Sequence, residues 1–75
     1  MGIVDDRGRS YGDPRVNISR TASLWSAYLG CEVTAHDVAW MMVMLKASRS
    51  KADPQNVDNY VDSRGYTDIA ERLKK

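Results

Sequence analysis

Eight consecutive apolar residues, Val38-Ala39-Trp40-Met41-Met42-Val43-Met44-Leu45, constrain this chain more than any other feature. They follow Thr34-Ala35-His36-Asp37, a capping-box pattern with Asp in place of the usual Glu, so they open a helix rather than a strand. A helix that is apolar on every side for two turns needs neighbours all round it. The run is too short to span a bilayer. The whole chain has 75 residues, one Cys and one His, so it has neither an intramolecular disulfide nor a Cys/His zinc site as a staple. A chain this short buries little apolar surface by itself, and self-association is the common remedy. The sequence therefore predicts an all-α homo-oligomer, most simply a two-fold dimer, with Trp40, Met41, Met42 and Met44 of the middle helix at the interface.

The remaining elements can be placed around that helix. Residues 1–10 carry four charges and two glycines with no apolar period and read as a flexible N-terminal arm; 11–75 form a single helical domain. Asp13-Pro14 is a cap-then-proline helix start. Ile18, Ala22, Trp25 and Leu29 then recur at helical spacing as far as Gly30, a left-handed C′ residue. Cys31-Glu32-Val33 is an extended link, with Cys31 an inert small hydrophobe. Asp53-Pro54 repeats the helix-start pattern, and a last helix runs from about Pro54 or Val57 to Leu73. Gly65 in its middle predicts a close approach of two helices. The fold class is all-α: an antiparallel three-helix bundle, with room for a short fourth helical turn, that oligomerises through its apolar middle helix.

A net charge of +1 argues against the broad basic footprint that duplex DNA or an anionic membrane demands. The segment Leu24–Lys46 superficially has a helix-turn-helix layout, but its reading helix would bury the positions that contact bases. No signal-peptide core opens the chain, so the expected location is the cytoplasm.

The polar residues form one candidate constellation. Asp58 and Asp62 lie one turn apart on one helix face, a spacing at which two carboxylates can share a Mg²⁺ ion with phosphate oxygens and waters. Lys46 and Arg49, three apart at the end of the apolar helix, offer a point charge and a bidentate fork for phosphate, or ion pairs for the two aspartates. If the third helix folds back on the second, these four meet. The start of the first helix, bringing Tyr11, Asp13 and Asn17, would arrive at the same place, with Tyr66 beside it. The expectation is a structural ion-pair network or a pocket for a phosphate-bearing ligand, with no catalytic residue assigned.

The order Tyr11-Gly12-Asp13-Pro14, Asn17, Leu24-Trp25-Ser26-Ala27-Tyr28-Leu29-Gly30, Thr34-Ala35-His36-Asp37-Val38-Ala39, Met41-Met42, Lys46, Arg49, Asp58, Asp62, Gly65-Tyr66 resembles a family of small phage and prophage proteins known only as a domain of unknown function. The likeness covers roughly residues 11–73. Where that pattern has histidine, any residue, then aspartate, this chain has Asn56-Val57-Asp58. More distantly, the opening and the acidic ending resemble a phage domain associated with nucleotide modification. Further off, they resemble the MazG-like all-α nucleoside triphosphate pyrophosphatases. The first resemblance implies a phage-type binding, structural or host-interaction protein, acting in the cytoplasm of the bacterial host. The last implies the alternative of Mg²⁺-dependent nucleotide binding or pyrophosphohydrolysis, with Asp58 and Asp62 as metal ligands. Its acidic site would be completed across an oligomer interface.

Overall fold

The structure, a computed structural model, describes residues 14–74. The described residues form three helices, α1 Pro14–Leu29, α2 Ala35–Ala52 and α3 Val57–Leu73, and no strand. The all-α reading holds. The N-terminal arm, Tyr11 and Asp13 lie outside the described residues.

Local chemistry explains each boundary. At the end of α1, Gly30 adopts φ +73°, and its N–H donates to the Ser26 carbonyl at 2.9 Å. Ser26 then ties down the link: its hydroxyl accepts from the Val33 N–H at 2.7 Å and donates to the Val33 carbonyl at 3.1 Å. The capping box at the start of α2 is closed in both directions, Asp37 N–H to Thr34 Oγ1 and Thr34 N–H to Asp37 Oδ2, each at 3.0 Å. Asp53 ends α2 instead of starting the next helix; its N–H donates to the Arg49 carbonyl. Asn56 is the actual cap of α3, its side chain accepting from the Asp58 N–H at 3.0 Å. The Asp53-Pro54 start signal therefore marks a tight turn, pinned by the Tyr60 hydroxyl donating to the Pro54 carbonyl at 2.7 Å.

The middle helix packs chiefly on α3 and less on α1. α2 and α3 run antiparallel: Lys46, near the end of α2, pairs with Asp62 in the first half of α3, while Leu73 shares a surface hollow with Thr34, Ala35 and His36. Ile18, Ala22 and Val38 form the buried centre, with Trp25, Met42, Tyr66, Ile69 and Leu73 packed around it.

The protomer leaves the middle helix partly uncovered, in keeping with the expectation that so short a chain cannot surround it: Val38 and Ala39 are sealed, but Trp40, Met41, Met44 and Leu45 are exposed, because α1 and α3 cover only part of α2. Two sequence expectations need correction. Gly65 does not mark a close approach: a Cβ built there meets nothing within 4 Å, because the residue sits on the outer side of α3. Cys31 is exposed, in the bend just after Gly30.

Candidate functional site

The antiparallel pairing of α2 with α3 brings the end of one beside the start of the other. An open hollow of about 420 Å³ forms there, lined by Lys46, Arg49 and Ala52 of α2, Asp53 and Asn56 of the turn, and Asp58, Asn59 and Asp62 of α3. Four of the residues singled out from sequence, Lys46, Arg49, Asp58 and Asp62, thus meet around one cavity. Asn17 and Tyr66 are not among the lining residues: Tyr66 packs against the buried centre, and Asn17 is a half-buried residue of α1. The convergence of helix ends is shown for α2 and α3; Tyr11 and Asp13, expected from the start of the first helix, lie outside the described residues.

Lys46 Nζ lies 3.0 Å from Asp62 Oδ2, with the lysine side chain 15% exposed and the aspartate 43%. The lysine stem covers core surface while its ammonium meets a carboxylate. Arg49, Asp53 and Asp58 form no ion pair among the described residues, although they share the hollow. Asn59 stands next to the two aspartates in the sequence, but its burial was not foreseen: it is only 6% exposed and is the one buried polar residue described. Its backbone N–H donates to the Asn56 carbonyl at 3.2 Å, but its carboxamide has no hydrogen bond among the described residues. No described side-chain polar atom is sealed from solvent without a partner, so this amide keeps its access through the hollow it lines. The spacing could have pointed to it: Asn59 lies seven residues before the inward-facing Tyr66 and three before Asp62.

Among the described residues, no three His, Cys, Asp or Glu side chains come together to hold a metal ion. Asp37, in the capping box, is held below the usual carboxylate range, first by the Thr34 N–H and then by the Thr34 side chain. His36 beside it accepts from Trp40 Nε1 at 3.2 Å, the rings edge-on at 6.4 Å.

A second feature lies on the other side of α2. Trp25, Tyr28 and Leu29 of α1 and Met41 of α2 line an apolar hollow of about 380 Å³. Tyr28 is 90% exposed, and Leu24, Leu29, Trp40, Met41, Met44 and Leu45 are exposed as well. Of the four interface residues expected from sequence, Met42 turns inward against the core. No described helix is long and apolar enough to cross a membrane.

A compact α-helical unit with a mixed-charge hollow on one side and an exposed apolar surface on the other is the class of protein these features define. The chain belongs to the family described as "Domain of unknown function (DUF6378)", whose model matches residues 2–74. It is 41% identical over 73 residues to the Gene 55 protein of Mycobacterium phage L5 and 37% identical over 71 residues to the Gene 55 protein of Mycobacterium phage D29. These alignments cover 96% and 95% of this chain but 47% of each phage protein, so the chain spans about half the length of these relatives. No solved structure matches it significantly. The phage-type family expected from the residue pattern is thereby established.

Proposed function

We infer that this phage-type domain is a protein-binding module that self-associates through the apolar surface of α1 and α2. The observation that carries the reading is the exposure of Leu24, Tyr28, Leu29, Trp40, Met41, Met44 and Leu45 on two adjoining helices. Large apolar side chains left outside in such number mark an interaction surface rather than ordinary solvent-facing positions. The protomer's interior is correspondingly poor: the largest fully buried side chain is Val38. A surface that the fold itself needs covered calls for a partner always present in equal amount, and a second copy meets that need. The hollow between Trp25 and Met41 gives a protruding side chain of the second copy a place to seat. Mg²⁺ or nucleotide binding at Asp58 and Asp62 has weaker support, since Lys46 already neutralises Asp62.

Light scattering on the purified full chain at micromolar concentration tests the reading. A dimer mass is expected for the native chain, and a monomer mass for Tyr28→Ser and Met44→Ser. A native monomer whose unfolding does not depend on concentration would overturn it, and would leave a host protein as the occupant of the same surface.

A further inference from the structure

The polar hollow between α2 and α3 gathers four polar side chains that have no side-chain partner among the described residues. Arg49 is an exposed guanidinium that forms no ion pair among the described residues. Asp53 and Asp58 are exposed carboxylates in the same situation. Asn59 is a buried carboxamide, 6% exposed, with two N–H donors and an acceptor oxygen and no partner among the described residues. Opposite charges that share a cavity without closing on each other leave room between them. The exposure of each residue orders them by depth, with the charged groups at the rim and the neutral amide at the floor.

The charge balance narrows what fits. Lys46 and Asp62 neutralise one another at 3.0 Å, leaving one cation against two carboxylates. A simple dianion such as phosphate would face a net negative rim. A simple cation would leave the Arg49 fork unused. A molecule carrying both signs side by side satisfies the rim, and a neutral hydrogen-bonding group on it satisfies the floor. We propose that this hollow binds a small amino-acid-like zwitterion with a neutral polar side chain, its carboxylate on Arg49, its ammonium on Asp58 and Asp53, and its side chain on the Asn59 amide. The volume, about 420 Å³, is within the range of small-molecule pockets.

The test is an NMR titration of the ¹⁵N-labelled full chain, following the Asn59 side-chain amide and the Arg49 Nε resonance. L-glutamine, inorganic phosphate and methylammonium are added separately at constant ionic strength. Glutamine is expected to move both resonances saturably, with phosphate and methylammonium each giving little. Arg49→Gln, at an exposed position that leaves the fold intact, should weaken glutamine binding about tenfold, the loss of one charge-assisted interaction. Asn59→Asp, which keeps the size of the floor residue, should alter the response to the side chain of the probe. A linear, unsaturable drift with glutamine would overturn the proposal. So would an equal response to phosphate alone, or glutamine binding that Arg49→Gln leaves unchanged. The readouts come from the α2–α3 hollow, so they are independent of whether α1 and α2 pair two copies.

Discussion

The Lys46–Asp62 pair predicts an asymmetry between its two halves. In the folded chain Lys46 is mostly covered, at 15% side-chain exposure, whereas Asp62 is 43% exposed. Replacing the lysine (Lys46→Met) keeps the apolar stem and leaves a carboxylate that water can still reach. That loses only the modest worth of a part-exposed pair, about 0.5 kcal/mol. Replacing the aspartate (Asp62→Asn) leaves a mostly covered ammonium without its countercharge. Breaking a fully buried pair this way costs about 3–5 kcal/mol; scaled down for the exposure of Asp62, the expectation is about 1–2 kcal/mol. The double variant should resemble Lys46→Met alone, giving a coupling energy equal to the Asp62→Asn loss, about 1–2 kcal/mol. Urea unfolding followed by far-ultraviolet circular dichroism reads these values as midpoint shifts at constant slope. Equal losses for the two single variants, or strictly additive losses in the double, would refute the burial argument.

Two further outcomes follow from the helices themselves. Gly65→Ala should stabilise the chain by about 1 kcal/mol, raising Tm by about 4–8 °C, because the space around its Cβ is open and only helix propensity changes; a lower Tm would restore the close-approach reading. Asp37 has a folded pKa depressed below its unfolded value, so the capping box contributes at neutral pH and the contribution fades as pH falls through the folded value, below the ordinary carboxylate range. The stability gap between the native chain and Asp37→Asn should therefore be flat near neutrality and close in acid, as read from urea midpoints across pH.

Features set within one helical turn were legible in the sequence. Thr34 and Asp37 cap α2 through bonds three residues apart, and Gly30 turns left-handed because its lack of a Cβ removes the steric penalty. The meeting of Lys46 with Asp62 was legible too, since a short turn after α2 leaves α3 little choice but to fold back. Two signals misled. Asp53-Pro54 has the composition of a helix start, yet the chain spends those residues on closing α2 and turning, and Asn56 does the capping. Gly65 tells only that propensity is low there; which way the position faces depends on Tyr66, Ile69 and Leu73 turning toward the core. The burial of Asn59 depends on tertiary packing, which no local pattern encodes.

Which side chains fill the interior bears directly on the association reading. Alanines hold three of the buried positions, Ala22, Ala39 and Ala70, while Tyr28, Trp40, Met41 and Met44 lie outside. Small residues let helices approach closely but withdraw little apolar surface from water. Full burial of a large apolar side chain is worth about 1.5–3 kcal/mol, and each of these forgoes the part that its exposure leaves out. In a self-sufficient small domain that distribution is costly, because its margin of stability is itself only about 5 kcal/mol. If α1 and α2 pair with a second copy, the same side chains become interior and the distribution is no longer inverted. Folding and association would then be one equilibrium, and the unfolding midpoint should rise with protein concentration. The α2–α3 hollow would keep its geometry through that step, since the residues that line it come from the other side of α2 and from α3.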